Sequence, residues 1–193
     1  MSVEYLESLF TRFGTDKGTW GYTAYYATAM EARRFDVKAV LEVGICGYRD
    51  IPNNVVGASL FVWREYFPNA EIYGIDNDSR FIFNDQPRIH TALADAYDVA
   101  SLSMALIDFN VGRPFDMIVD DAVHDPEPQL HLANMLTPAL AKGGRYFIEE
   151  ACPYKLNEPY EKWLSHRINL AGEITGIHAC VTPKPEELMI LIK

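Results

Sequence analysis

Carboxylates and one imidazole directly follow two short apolar runs in the middle of the chain: Asp120, Asp121, His124, Glu149 and Glu150. Such runs are typical of buried parallel strands, whose carboxyl ends meet at one edge of a sheet. Neighbouring strands lie about 4.8 Å apart, so carboxylates at two strand ends can reach one cation. Carboxylate oxygens are hard ligands that suit Mg²⁺ or Ca²⁺. The pattern predicts a metal site beside a candidate base.

A glycine turn and an acid after the next predicted strand indicate a nucleotide-type cofactor site. Gly44 and Gly47 keep part of a G-x-G-x-x-G fingerprint. Glycines there either allow a ligand to approach backbone N–H groups or merely cap a strand. Asp76 ends the following predicted strand, where an acid is suited to hydrogen-bond ribose hydroxyls. The polar insertion 48–56 should overhang this pocket.

Strands and helices must alternate to position these residues. Strands are predicted at 39–43, 71–75, 88–92, 115–119, 146–148, 173–181 and 188–192. Helices are predicted before Gly14, over 27–35, around Leu60 to Phe67, around Leu132 to Leu140 with a stop at 142–144, and over 160–168. The last two strands are joined by a short turn, so they must pair antiparallel. We therefore expect an α/β fold, a doubly wound, mostly parallel sheet of seven strands with an antiparallel C-terminal hairpin.

Composition excludes several classes of protein. The 193 residues, 49% hydrophobic, can bury a core as one domain over 1–193, with 1–36 as a helical cap or lid. The net charge of −10 disfavours nucleic acid and anionic membranes as partners. No apolar run approaches a membrane span, and the first residues lack a signal-peptide layout, so a cytoplasmic protein is expected. The odd, widely spaced cysteines fit reduced thiols.

A series of motifs in one order extends from Phe13 to about Glu150. The motifs are Gly14-Thr15-Asp16-Lys17-Gly18, Gly21-Tyr22-Thr23, Leu41-Glu42-Val43-Gly44, Gly57-Ala58-Ser59-Leu60, Glu65-Tyr66-Phe67-Pro68-Asn69-Ala70, Ile72-Tyr73-Gly74-Ile75-Asp76, Asp120-Asp121 with His124, Gly143-Gly144 and Ile148-Glu149-Glu150. The series resembles the metal-dependent sugar O-methyltransferases of macrolide antibiotic pathways, of the macrocin and mycinamicin type, and the related proteins known as cephalosporin hydroxylases. The fold this resemblance implies is that of a class I methyltransferase.

The resemblance implies S-adenosylmethionine as methyl donor. The donor site that it implies comprises Glu42, Gly44, Gly47, Ser59, Asp76, Asp95 and Asp120. Glu42 and Gly44 would lie near the methionine part of the donor, Asp76 at the ribose and Asp95 near the adenine.

The resemblance also implies Mg²⁺ or another divalent cation, held by Asp121, Glu149 and Glu150. The implied catalytic residues are His124, as general base, and Asp121. A cation lowers the pKa of a hydroxyl, an imidazole within reach removes the proton, and the oxygen then attacks the sulfonium methyl. From the residues alone, Asp121 or Asp125 could instead cap the helix that begins near residue 126.

The expected activity is O-methylation of a hydroxyl on a small natural product, such as a sugar vicinal diol. A catechol-type phenol would be chelated in the same way and is one alternative. A non-catalytic partner subunit that retains the fold is another, because Ala122, Val123 and Glu150 depart from the family's usual residues. A nicotinamide oxidoreductase is disfavoured by the terminal hairpin. Trp20 and Tyr22 are candidates for an acceptor lid, and a partner protomer could close so small a pocket, which makes a homo-oligomer an expectation.

Overall fold

The sheet contains every strand that the structure describes. The computed structural model describes residues 2–46, 55–168, 177–181 and 188–192. The strands are β1 (Ala39–Val43), β2 (Glu71–Asp76), β3 (Ile89–Leu93), β4 (Phe115–Asp120), β5 (Leu140–Ala151), β6 (Ile177–Val181) and β7 (Leu188–Ile192). They form one sheet in the order β3-β2-β1-β4-β5-β7-β6. Neighbouring strands in the part of the sheet that runs β3-β2-β1-β4-β5 are parallel, and β7 pairs antiparallel with both β5 and β6. The predicted parallel sheet with an antiparallel ending is present.

Helices cover both faces of the sheet. They are α1 (Ser2–Phe13), α2 (Thr23–Met30), α3 (Ala58–Tyr66), α4 (Val99–Phe109), α5 (Pro126–Leu136) and α6 (Tyr160–Arg167). Helices α1, α2 and α3 pack on one face around Trp63, and α4, α5 and α6 pack on the other. Successive side chains of a strand point alternately into these two cores, so β1 is buried along its whole length. This double burial is why four of the five residues of β1 are apolar, with Glu42 as the exception.

Two helix predictions need correction. Helix α5 ends at Leu136, and Leu140, which was placed on its apolar stripe, opens β5 instead. Pro138 lies in the intervening 3-10 turn and cannot continue an α-helix, because it lacks the N–H and its ring clashes with the preceding turn. The glycines at 143 and 144 therefore lie within β5 rather than ending a helix.

Helix α4 was not predicted. Three of its apolar side chains, Val99, Met104 and Ile107, are exposed by 59%, 64% and 73%. Apolar residues around the whole circumference hide the helical period. Helix α2 also begins at Thr23, four residues before the predicted start. None of the helices described here is long and apolar enough to cross a membrane.

The N-terminal helices are packed into the core. The ring of Phe10 lies 5.8 Å from that of Trp63, and the ring of Tyr26 lies 4.8 Å from Trp63 and 4.4 Å from Phe147. This packing holds the segment between α1 and α2 over the carboxyl ends of β1, β4 and β5. The division of the chain into one domain with a cap over 1–36 remains a prediction.

Candidate active site

Gly44 joins the end of β1 to the segment after β4. Its φ is 84°, and a Cβ there would meet the carbonyl oxygen of Asp121 at 2.1 Å. The Asp121 N–H in turn donates to the carbonyl of Val43 at 2.9 Å. Glycine is required here because the Asp121 backbone lies against it, and any side chain would push that backbone away. The first glycine of the motif therefore positions the acid that was predicted to bind metal.

A cleft of about 260 Å³ opens between the ends of β1, β2 and β3 and the segment after β4. Four predicted site residues line it: Gly44, Asp76, Asp95 and Asp121. Asp76 accepts hydrogen bonds from the N–H groups of Ile45 at 3.1 Å and Asp78 at 2.9 Å. The carboxylate thus fixes the glycine turn while remaining part of the cleft wall. The acids in its wall are hydrogen-bond acceptors of the kind that the predicted donor nucleoside requires.

Three predicted donor residues lie beneath the cleft rather than in its wall. Glu42 is fully buried and accepts from the Trp63 indole at 2.8 Å, and Ser59 hydrogen-bonds the same carboxylate. Asp120 is also fully buried, and burial raises the pKa of its carboxyl to about 8. Gly47 and most of the insertion 48–56 lie outside the described residues.

A lysine occupies the centre of the acid cluster. The Lys17 ammonium, 2% exposed, lies 2.6 Å from Glu149 Oε2, 2.7 Å from Asp121 Oδ2 and 3.2 Å from Glu42 Oε1. Burial alone would lower the pKa of Lys17, but these carboxylates outweigh it and hold that pKa well above its ordinary value. The same ammonium lowers the pKa of Asp121 against the effect of burial. The ammonium therefore pairs with all three carboxylates, and only Asp121 has a lowered pKa, because burial keeps the pKa values of Glu149 and Glu42 above their ordinary values.

An irregularity in β5 brings two consecutive glutamates to the same site. Successive side chains of a regular strand point to opposite faces. The register between β5 and β7 shifts between Ile148 and Ala151, and Glu150 has a left-handed φ of 48°. Such bulges redirect a side chain. Glu149 consequently contacts Lys17 while Glu150 contacts His124.

Three side chains satisfy the backbone of this bulge. The Gln129 amide of α5 donates to the Glu149 carbonyl at 3.0 Å. The Glu150 N–H donates to the Tyr22 hydroxyl at 3.1 Å, and the Cys152 thiol donates to the Glu150 carbonyl at 3.3 Å. Buried peptide groups that leave the ladder need such partners. The bulge is a fixed part of the structure.

His124 lies between two carboxylates. Its Nδ1 pairs with Glu150 Oε2, and its Nε2 lies 3.5 Å from Asp121 Oδ1. Burial would lower the pKa of the imidazole, but the two carboxylates raise it to about 10. The metal-free protein therefore holds His124 as imidazolium, whereas a general base must be neutral.

The donor atoms that could hold a metal are close together. One ligand atom each from Asp121, His124 and Glu150 lies within 4.8 Å of the other two. Two of the predicted ligands, Asp121 and Glu150, thus share this place, and the third, Glu149, lies on the far side of Lys17. The partly buried oxygen donors fit a hard divalent cation.

Sequence reasoning missed Lys17 and Tyr26 and assigned Tyr22 wrongly. Tyr22 is 1% exposed and supports the bulge, so it is not a lid over the acceptor. Tyr26 donates its hydroxyl hydrogen bond to Glu149. The signal for Lys17 was the excess of predicted buried acids, which requires a cation.

Asp125, not Asp121, is the residue before α5, and its carboxylate pairs with Lys155 at 2.9 Å.

Comparison with known proteins supports the resemblance. No protein-family model matches the chain. The 8-demethyl-8-alpha-L-rhamnosyl tetracenomycin-C 2'-O-methyltransferase of Streptomyces olivaceus is 37% identical over 150 residues, which cover 75% of this chain and 37% of that protein. Demethylmacrocin O-methyltransferase of Streptomyces fradiae is 32% identical over 149 residues, 75% of this chain and 36% of that protein. The chain spans little more than a third of the length of these relatives.

A solved structure shows the same fold. The MycE methyltransferase from the mycinamycin biosynthetic pathway, in complex with Mg and SAH, superposes with a TM-score of 0.76 at 25% identity. The match covers 97% of this chain and 54% of that chain. The class I methyltransferase fold and the resemblance to macrolide sugar O-methyltransferases are thereby confirmed.

Proposed function

We propose that this chain, a class I methyltransferase by fold and similar to macrolide sugar O-methyltransferases, transfers a methyl group from S-adenosylmethionine to a sugar hydroxyl of a small natural product with the help of a divalent cation. The observation that carries the proposal is the position of Asp121. This residue lines the donor cleft and also belongs to the acid cluster with His124 and Glu150. A donor methyl and an acceptor hydroxyl would meet there.

The relatives support the choice of substrate and cofactors. Their names specify O-methylation of rhamnosyl tetracenomycin and of demethylmacrocin, and the matching structure contains Mg and SAH. This chain covers only part of each relative, so its own acceptor is proposed from chemistry. A sugar diol presents two neighbouring oxygens, which is the geometry that one hard cation chelates.

The residues of the cleft would bind and orient the donor. Asp76 is held by two backbone N–H groups at the wall of the cleft, where its carboxylate would accept hydrogen bonds from the ribose hydroxyls. Asp95 lies farther along the same wall, where it would contact the adenine. S-adenosylmethionine supplies the methyl group when it is bound. Positioning donor and acceptor near contact distance provides much of the acceleration.

His124 would remove the proton from the acceptor hydroxyl. Asp121, Glu149 and Glu150 would hold the cation, which supplies Lewis-acid activation of that hydroxyl. His124 lies between two of these acids, so it would be within reach of a hydroxyl held there. Acids that held a cation would stabilise the imidazolium less, which would leave His124 as the neutral base that proton removal requires.

Donor binding and methyl transfer test the proposal. Calorimetry should show binding of S-adenosylmethionine, and Asp76→Ala should weaken it by about 1.5 to 3 kcal/mol through loss of charge-assisted hydrogen bonds. Asp85→Ala, which removes the same charge from an exposed loop, is the matched control. Methyl transfer is then measured on glycosylated polyketides and on catechols, with Mg²⁺ and with a chelator.

The outcomes separate the remaining alternatives. Turnover of catechols alone would replace the sugar by a phenol acceptor. Binding of donor and metal without turnover of any acceptor would favour a partner subunit that retains the fold. Full turnover in the chelator would contradict the metal mechanism.

A further inference from the structure

Both carboxylate oxygens of Glu149 are already used by buried protein donors. Oε2 lies 2.6 Å from the Lys17 ammonium, and Oε1 accepts from the Tyr26 hydroxyl. Glu149 is 2% exposed, so water does not compete for these positions. Each oxygen keeps a second lone pair, so a cation that binds Glu149 would share that oxygen with Lys17 or with Tyr26.

We propose that Lys17 is a resident counter-cation that competes with the divalent cation for Asp121 and Glu149. The inference rests on the metal part of the proposed function and deepens it. It assigns to Lys17 control of metal affinity, a role that no motif of the sequence indicated. Lys17 is a positioning residue, because it acts on the acids and not on the substrate.

The distances explain why the two cations exclude each other. Protein oxygens coordinate Mg²⁺ at about 2.0–2.1 Å and Ca²⁺ at about 2.3–2.6 Å. Lys17 Nζ, at 2.6 and 2.7 Å from Glu149 Oε2 and Asp121 Oδ2, lies where a cation that joins these two oxygens would lie. Two positive charges at contact distance in a buried site repel strongly.

Lys17 rather than Tyr26 is the group that must leave. The Tyr26 hydroxyl is a phenol, which is an uncharged donor at neutral pH. A neutral donor to one oxygen is compatible with a cation on the other, as occurs around metal-bound carboxylates. The positively charged Lys17 ammonium, in contrast, repels a cation bound to the same carboxylate.

The metal-free protein needs this lysine for its stability. Glu42, Asp121 and Glu149 would otherwise be three carboxylates in one interior cluster without a cation. Removing one partner of a buried ion pair is strongly destabilising because it leaves a buried charge uncompensated. Lys17 therefore allows the site to fold before metal arrives, and the same contacts weaken metal binding.

The test is a calorimetric titration of MgCl₂ and CaCl₂ into chelator-stripped wild-type protein and Lys17→Met. Methionine keeps the chain length and removes the competing charge, so the metal Kd should fall about tenfold or more, within the usual range of coupling between sites. Lys155→Met is the matched control. It removes the same charge near the site, but its ammonium contacts Asp125 and the His124 carbonyl at the surface. Its Kd should stay within about twofold of wild type, since exposed charges are screened.

Thermal unfolding gives a second readout that needs no acceptor. Without metal, Lys17→Met should melt below wild type, and saturating Mg²⁺ should raise its melting temperature by more than it raises that of wild type. If Lys17→Met does not fold, Lys17→Gln decides, because it keeps hydrogen-bond donors for both acids without the charge.

Each other outcome overturns the inference in a recognisable way. If the metal Kd is the same in Lys17→Met as in wild type, the cation binds through Asp121, His124 and Glu150, and Lys17 of the wild type keeps its contacts when metal is bound. A weaker Kd would mean that Lys17 supports the metal. Absence of metal binding in all three proteins would remove the metal from the proposed function as well. The donor titration above would still report on the methyltransferase assignment.

Discussion

At the scale of single residues, the acid cluster carries its own cations. Lys17 links Asp121 to Glu149, and His124 links Asp121 to Glu150. Each acid that was predicted to bind metal is therefore paired in the metal-free chain. In the proposed mechanism this pairing would connect catalysis with metal binding, because the two carboxylates favour the protonated imidazole and a general base must be neutral.

The protonation of His124 predicts how stability depends on pH. Its folded-state pKa of about 10 lies above the unfolded value of about 6.5. A group whose pKa is raised by folding stabilises the protein below its unfolded pKa, and this contribution is lost as the pH rises through the folded pKa. The difference in unfolding free energy between wild type and His124→Gln should therefore be largest below about pH 6.5 and shrink towards pH 10.

Chemical denaturation in a chelator at a series of pH values measures this difference. A difference that stays constant from about pH 6 to 10 would show that His124 is not held as imidazolium by Asp121 and Glu150. Added Mg²⁺ should shift the loss of the His124 contribution to lower pH, since a metal bound to Asp121 and Glu150 would weaken their stabilisation of the imidazolium.

At the scale of elements, the bulge in β5 makes the site possible. A regular strand would direct Glu149 and Glu150 to opposite faces. The left-handed φ of 48° at Glu150 turns both towards the same cluster, and Tyr22 and Gln129 hold the displaced peptide groups. Backbone strain of this kind persists at functional sites when the surroundings enforce it.

The strain at Glu150 can be measured by comparing two substitutions. Glu150→Gly and Glu150→Ala both remove the carboxylate, but only glycine adopts a positive φ without steric cost. We expect Glu150→Gly to be about 1 kcal/mol more stable than Glu150→Ala in urea unfolding. At Glu71, an ordinary position in β2, the order of the same pair should reverse because glycine weakens a strand. Equal stability of the two Glu150 variants would show that the bulge relaxes when the carboxylate is lost.

Features of the fold and the site that depend on a short stretch of sequence were predicted, and features that depend on contacts between distant residues were not. Strands β1, β2 and β4 were found almost to the residue, because strands buried on both faces are rich in apolar residues. The acids were found because they follow these runs. The bulge in β5 was not predicted, since no residue type in Ile148-Glu149-Glu150 indicates a left-handed backbone. The position of Lys17 among the acids was not predicted either, because its partners are distant in sequence.

At the scale of the whole molecule, the site exists only when three distant parts of the chain meet. Lys17 and Glu149 are 132 positions apart, and Lys17 and Asp121 are 104 apart. Packing of α1 and α2 against Trp63 brings the first part to the sheet edge, and β4 and β5 bring the others. The chain covers little more than a third of the length of its curated relatives, yet the cleft beside Gly44 and the acid cluster both lie within it.

A site assembled by folding must couple metal binding to stability. The unfolded chain holds its acids far apart, so a divalent cation should bind the native state and not the unfolded one. Mass action then predicts a rise in unfolding free energy of about 2.7 kcal/mol at a metal concentration of 100 times Kd. The net charge of −10 makes any salt a weak stabiliser, so NaCl at equal ionic strength is the reference. Glu150→Gln, which removes one acid from the cluster, should lose most of the Mg²⁺-specific increment while responding to NaCl as wild type does. An increment that is the same for MgCl₂ and NaCl would mean that the acids serve the fold through Lys17 and His124 and bind no metal.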